Sequence, residues 1–157
     1  MSCYRIDPRI WKCRGGTTAF TTDQIRQLQF HEEGLYSMTS ANAAREMNDC
    51  IAKLPFLQNL GRGIEITDGC ACCGGNVMSL MCDERYRTIN AVELSPETFG
   101  MLKHNVQNTK SFCPFQTKGV IVNLFVDSYL SKMDTLTQDV VMLDPPWGGI
   151  GYRQNQV

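Results

Sequence analysis

The hydrophobic pattern changes its period near Gly61. Before that point the chain is polar, with apolar residues at helical spacing; after it, short apolar runs alternate with amphipathic segments. Thr21-Thr22-Asp23 stands before QIRQLQF in the manner of an N-cap, and Thr39-Ser40 stands before ANAAREMNDCIAKLPFL. In the second segment Ala43, Ala44, Met47, Ile51 and Leu54 recur on one helical face, so two helices are predicted. From Gly63 the order reads strand IEITD, Gly-containing turn, helix GNVMSLMCDE, strand RTINAVEL, helix PETFGMLKHNVQN, strand GVIVNLFV, short helix, strand DVVMLD. This alternation predicts an α/β fold with a parallel sheet flanked by helices. The expected organisation is a helical segment over residues 1–60 and an α/β core over residues 61–157.

In such sheets ligands bind outside the carboxyl ends of the strands. Every predicted strand ends there in an acid: Asp68, Glu93, Asp127 and Asp144. The first loop, Asp68-Gly-Cys-Ala-Cys-Cys-Gly-Gly-Asn76, carries Gly74 and Gly75 where the backbone can approach a ligand at a helix N-terminus. Glu93 follows roughly 20 residues later, where a ribose-binding acid belongs in a nucleoside-binding fold. The loop does not match G-x-G-x-x-G, which disfavours NAD.

Composition narrows the reading. With 157 residues, 43% of them hydrophobic and 20% charged, the chain is one ordinary domain without repeats or low-complexity stretches. No apolar run approaches the roughly 18 residues needed to span a bilayer, and MSCYRIDPRIW has no apolar signal core, so an intracellular protein, nuclear or cytoplasmic, is expected. The eight cysteines are unevenly spaced, with Cys70, Cys72 and Cys73 crowded together, and are read as reduced thiols. C-x-C-C lacks the usual gap of a thiolate metal site and has no histidine beside it in sequence, so no metal is expected. Met78, Met81 and Met101 fall at core positions, and His31 and His104 are read as surface residues. A net charge of -1 excludes bulk electrostatic coating of nucleic acid. Arg5, Arg9, Lys12, Arg14 and Arg26 near the start fit either solvated helix faces or a phosphate-contacting patch.

The most specific signal is Asp144-Pro145-Pro146-Trp147-Gly-Gly. Two prolines fix the backbone and donate no hydrogen bonds, so their carbonyls and the carboxylate can hold a planar amine. Trp147 offers a stacking face, and a cationic base adds attraction of about 0.5 to 2 kcal/mol.

Asp-Pro-Pro-Trp resembles the motif of S-adenosylmethionine-dependent methyltransferases that modify exocyclic nitrogens. Its extension to DPPWGG, followed by Tyr152, is similar to the RNA cap guanine-N2 methyltransferases, the trimethylguanosine synthase family. Glu32 to Met47, EEGLYSMTSANAAREM, is similar to that family's upstream segment, and Asp68 to Asn76 resembles its D-x-x-x-G-x-G-G-N loop. The likeness covers about Phe30 to Tyr152.

The resemblance implies a Rossmann-like methyltransferase sheet with helices on both faces. It implies S-adenosyl-L-methionine held by Asp68, Gly74, Gly75 and Asn76, with Glu93 on the ribose and Asp127 near the adenine amine. It implies that a 7-methylguanosine cap on RNA stacks on Trp147 and is contacted by Tyr36, Ser37, Thr39 and Tyr152. Asp144, Pro145, Pro146 and Trp147 would then orient the guanine N2 amine toward the methyl group. The sequence departs from the family at Cys72, which replaces the first loop glycine, at Asp144, where the family often has Ser, and at Leu35, where an aromatic is usual. The chain ends ten residues past Trp147, so the sheet's usual C-terminal strands are expected to be missing and its edge open to self-association or a completing partner. The competing readings are an adenine-N6 methyltransferase using the same motif and a catalytically silent binding module.

Overall fold

The computed structural model describes residues 20–31, 34, 39, 41–113 and 117–145, together with the backbone of residues 4–5. The first part of the chain contributes strand β1 (Tyr4–Arg5), helix α1 (Thr22–Ile25), strand β2 (Gln29–Phe30), helix α2 (Ala41–Ala52) and helix α3 (Pro55–Gln58). The α/β part follows as β3 (Ile64–Asp68), α4 (Gly75–Met81), β4 (Tyr86–Glu93), α5 (Pro96–Phe112), β5 (Ile121–Val126), α6 (Tyr129–Lys132), a 3-10 turn (Met133–Thr135) and β6 (Val140–Met142).

The four core strands are parallel and run in the order β5-β4-β3-β6. The chain therefore steps outward from β3 through β4 to β5 and returns to the other side of β3. That reversal makes a topological switch point at the carboxyl ends of β3 and β6, the usual place for a ligand crevice. All five residues of β3 are buried, as befits a central strand covered on both faces. Ile64, Ile66, Val77, Leu80, Met81, Ile89, Ala91, Leu102 and Val106 form the main core.

Polar groups fix the register. Arg62 makes a two-pronged contact with Asp139, at 2.8 and 2.7 Å, while Asp139 Oδ2 also accepts the Glu65 N–H at 2.9 Å. The Asp139 carboxyl is held below its ordinary range chiefly by the Arg62 hydrogen bond. These contacts latch the start of β6 onto β3. Buried Glu65 is paired with Arg87. Asn90 ties three strands together: its amide donates to Thr67 Oγ1 at 3.2 Å, and its Oδ1 accepts from Asn123 at 2.9 Å.

The helices follow their sequence signals with two differences. Thr21 caps α1 through a full capping box with Gln24, but the helix closes after one turn. Gln29 and Phe30 pair with β1 instead of extending it, because buried Ile25, Leu28 and Phe30 pack into a second cluster with Cys73, Met78, Met101 and Cys113. In α2 the inward face carries Ala44 and Asn48, with half-buried Met47 and Ile51, whereas Ala43 and Leu54 are exposed. Pro55 starts a separate turn, α3, so the predicted long helix is broken. Helix α5 is capped by Ser95 and starts with Pro96; it buries Thr98, Met101, Leu102, Asn105, Val106 and Thr109 along one stripe.

Met78, Met81 and Met101 are buried, as the spacing predicts. No described helix is long and apolar enough to cross a membrane. Among the described residues Cys50, Cys70, Cys72, Cys73, Cys82 and Cys113 carry free thiols. Arg26 is exposed and paired with Asp23 at 2.9 Å, which fits the solvated-face reading. Arg9, Lys12 and Arg14 lie outside the described residues, as does the Arg5 side chain.

Candidate active site

Because the sheet is parallel, the acids predicted at the strand ends share one edge. Asp68 closes β3 and Glu93 closes β4; Asp127 and Asp144 stand just past β5 and β6. The loop between Asp68 and Gly75 lies at the switch point and is stitched to both neighbouring strands. Gly69 N–H donates to Met142 O at 3.0 Å, toward β6, and Ala71 N–H donates to Val92 O at 2.9 Å, toward β4. The Cys72 N–H donates to Glu93 Oε2 at 2.9 Å.

Two positions in this loop take a left-handed backbone: Gly74, with φ of 92°, and Cys72, with φ of 48°. A Cβ on Gly74 would also meet Leu102 Cδ1 at 2.9 Å, so this glycine is required both by conformation and by packing. Cys72 accepts the strain that a glycine there avoids. Gly69 was not singled out by the sequence. A Cβ on it would stand 2.6 Å from Leu143 and 2.9 Å from Tyr129, so the loop passes between β6 and α6 only because this residue is bare.

The side chains around the loop differ in how fully they are engaged. Asp68 is buried; its Oδ1 accepts the Cys70 N–H at 3.2 Å, while its Oδ2 has no hydrogen-bond partner among the described residues. Burial pushes its carboxyl up to about 7; the Cys70 N–H opposes this, and Asp144, Cys72 and Glu93 add to the rise. Asn76 Oδ1 is likewise buried without a partner among the described residues. Two buried orphan acceptors beside a Gly-rich loop call for a ligand that carries hydrogen-bond donors.

Glu93 is half-buried and uses both oxygens on the backbone, Oε2 on Cys72 and Oε1 on the Ser95 N–H at 2.8 Å. Each carboxylate oxygen retains a second lone pair for a hydroxyl. Asp127 Oδ1 accepts the Ser128 N–H at 2.8 Å and its Oδ2 lies 3.5 Å from Lys132 Nζ. Asp144 and Pro145 are exposed past β6, and Thr39 is half-buried just before α2. Pro146, Trp147, Tyr36, Ser37 and Tyr152 lie outside the described residues.

A model of the RNA cap guanine-N2 methyltransferase family matches residues 64–157, from β3 through the Asp144-Pro145 turn and beyond. The chain belongs to that family. Among curated proteins it is 35% identical over 94 residues to uncharacterized protein L320 of Acanthamoeba polyphaga mimivirus, a match covering 58% of this chain and 33% of that one. The chain thus spans about a third of the length of the relative it matches. Among solved structures it is similar to a candidate methyltransferase from Porphyromonas gingivalis W83, with a TM-score of 0.59 and 14% identity, over 89% of this chain and 37% of that one. That likeness shows the fold: a Rossmann-like methyltransferase architecture of parallel sheet and helices. The matched residues include the stitched β3–α4 turn and, on the other side of the switch point, Asp144 and Pro145 just past β6.

One juxtaposition escaped sequence reasoning. The Cys72-Cys73 pair has no histidine beside it in sequence, yet His31, immediately after β2, places Nε2 3.7 Å from Cys72 Sγ. Cys73 Sγ lies 4.0 Å from Cys72 Sγ and 3.8 Å from Met101 Sδ. The Cys72 thiol is drawn down to about 6, first by its side-chain hydrogen bond with Cys73 and further by the Cys73 backbone N–H and by His31, against the opposing effect of burial. Cys73 is pushed the other way by the same contact and by burial. His31, Cys72 and Cys73 bring three potential ligand atoms within 4.8 Å of one another, where the sequence predicts no metal site. His104, by contrast, contacts the Gln27 carbonyl at 2.7 Å and points to no chemistry.

Proposed function

We propose that this chain carries the methyl-transfer site of an enzyme that moves a methyl group from S-adenosyl-L-methionine to the exocyclic N2 of a 7-methylguanosine cap on RNA. The observation that carries the reading is the pair of buried orphan acceptors, Asp68 Oδ2 and Asn76 Oδ1, in a family-matching loop at the switch point. S-adenosylmethionine, when bound, supplies an electrophilic methyl group on a sulfonium.

The chain's own contribution is positioning. Asp68 and Asn76 receive the donors of the amino-acid moiety, and the loop N–H groups and glycines set how closely it approaches. Glu93, braced by Cys72 and Ser95, offers its remaining lone pairs to ribose hydroxyls, and Asp127 stands at the adenine side. Asp144 and the Pro145 carbonyl accept the two N–H groups of the guanine amine and aim its lone pair across the crevice. Trp147 supplies the platform for the cationic base, with Pro146 keeping that turn rigid; Tyr36, Ser37, Thr39 and Tyr152 line the cap side. In an in-line displacement of this kind the acceleration comes from orientation and from electrostatics around a dispersing positive charge. The amine needs no strong base while it attacks; its proton leaves afterwards to water or Asp144.

Calorimetry with S-adenosylhomocysteine, followed by methyl-labelled transfer to 7-methylguanosine diphosphate or to uncapped adenine-rich RNA, tests the reading. Binding with label only on the cap analogue supports it. No heat identifies a silent module, and label only on the adenine-rich RNA identifies an adenine-N6 enzyme; either result overturns it.

A further inference from the structure

The Cys72, Cys73 and His31 cluster is not used by the proposed methyl transfer, and its geometry is specified from outside. Asn105 on α5 is fully buried. Its Oδ1 accepts the Gln29 N–H at 2.8 Å, and its Nδ2 donates to Gln29 O at 2.7 Å and to Cys73 O at 2.8 Å. One side chain thus clamps both β2, which leads into His31, and the loop that carries the two thiols.

His31 Nδ1 accepts the Gly34 N–H at 2.9 Å, which leaves the proton of the neutral ring on Nε2. That Nε2–H faces Cys72 Sγ and donates to it. The same bond disfavours a metal ion, because a cation on Nε2 moves the ring proton to Nδ1, where it would meet the Gly34 N–H. The arrangement is close-fitting: a Cβ on Gly34 would stand 3.2 Å from both Cys73 Sγ and His31 Cε1. Cys72 is half-buried, whereas Cys73 is buried.

We propose that Cys72 is a thiol-exchange site that forms a mixed disulfide with small glutathione-type disulfides, the His31 ring N–H and the Cys73 thiol stabilising its thiolate. In the step, the Cys72 thiolate attacks one sulfur of glutathione disulfide and a new S–S bond forms. The old S–S bond breaks, and one glutathione leaves as a thiolate that takes a proton from water. Cys72 is oxidised and the departing glutathione is reduced, so the electrons balance within the exchange. The groups facing the reacting sulfur or its loop are Cys73 and His31, which favour the thiolate, and the carboxylates of Glu93 and Asp68, which oppose it. The site stands independently of the cofactor reading, since none of these contacts requires a bound nucleoside.

The test incubates the full chain with glutathione disulfide across about pH 5 to 9 and follows the adduct by intact mass and peptide mapping, beside a free cysteine peptide. The adduct is expected on Cys72, with a rate that levels off above about pH 7 while that of the free peptide keeps climbing. At about pH 6 Cys72 is expected to react roughly tenfold faster than the peptide, after allowing for the lower nucleophilicity of a more acidic thiol. Cys72→Ser is expected to abolish the adduct, and His31→Ala to move the midpoint of the profile upward by about one pH unit. The wild-type profile is decisive even if the His31 variant fails to fold. No adduct on Cys72, or a rate that climbs in parallel with the free peptide, overturns the proposal. Full protection of Cys72 by one equivalent of zinc also overturns it and makes the cluster a metal site.

Discussion

Glu93 Oε2 accepts the Cys72 N–H at 2.9 Å, so the acid at the end of β4 holds the loop that leaves β3. Its other oxygen takes the Ser95 N–H at the start of α5. One carboxylate therefore braces two backbone segments. Charge-assisted bonds of this kind contribute about 1.5 to 3 kcal/mol each. Glu93→Ala is expected to cost about 2 kcal/mol in denaturant unfolding and to weaken S-adenosylhomocysteine binding at least about tenfold. Unchanged affinity in a folded variant would remove Glu93 from the cofactor site.

Asp68 gives a pH signature with two opposite signs. Its folded-state value near 7 lies above the unfolded value of about 3.9, so the native state binds the extra proton between them. Its contribution to stability is present in acid and is lost as pH rises through about 7. Binding of a cationic amino group prefers the ionised form, so affinity for S-adenosylhomocysteine is expected to fall about tenfold per pH unit below about 7. Asp68→Asn is expected to flatten both dependences. Calorimetry and thermal unfolding of the two proteins over the same pH series check this, and a wild-type affinity independent of pH would contradict it.

Gly69→Ala tests the close passage of the loop. The new methyl meets Leu143 Cδ2 and Tyr129 Cγ inside 3 Å, so the Leu143 side chain has to turn away and the start of α6 has to shift. The expected cost is about 1 to 3 kcal/mol, read as a lower denaturant midpoint.

Cys72→Gly relieves a left-handed backbone angle and is expected to stabilise the chain by up to about 1 kcal/mol. A lower denaturant midpoint in this variant would mean that the Cys72 side chain contributes more than its conformation costs.

Asn105→Ala strips the clamp between α5, β2 and the loop that joins β3 to α4. It leaves the N–H and C=O of Gln29 and the C=O of Cys73 without their partner, at about 1 to 3 kcal/mol for each group that stays buried. The expected readout is a loss of several kcal/mol together with faster hydrogen exchange at Gln29. Exchange unchanged at Gln29 would show that water or a neighbour replaces the clamp.

Much of the core was legible because its signals are local. β3, β4 and β5 declare themselves as apolar runs, and the acids at or just past their ends share one edge because a parallel sheet sends every strand the same way. The glycines of the first loop were legible for the same reason: Gly74 needs a positive φ that its own position reveals. The sequence also flagged Cys72 as the residue standing where the family has its first loop glycine, and its backbone is left-handed, with φ of 48°. What escaped depends on partners distant in the chain. His31 and Cys72 meet on two segments, far apart in sequence, that Asn105 on a third element holds together through Gln29 and Cys73. Gly69 looked like an ordinary turn residue until Leu143 and Tyr129 closed around it. The helix expected over QIRQLQF stops at Ile25 because Leu28 and Phe30 gain more by packing on α5 and the loop than by continuing the helix.

The central claim is that the Asp68–Asn76 cradle and the Asp144-Pro145-Pro146-Trp147 turn serve one methyl transfer to the guanine amine. Incubating the protein with methyl-labelled S-adenosylmethionine and 7-methylguanosine diphosphate, then locating the label by fragmentation mass spectrometry, tests it most directly. Label is expected on N2, lost in Asp68→Ala for want of the cofactor and in Trp147→Ala for want of the cap, the latter keeping cofactor affinity within about tenfold of wild type. Label on any other atom, or none from a protein that binds both ligands, would contradict it.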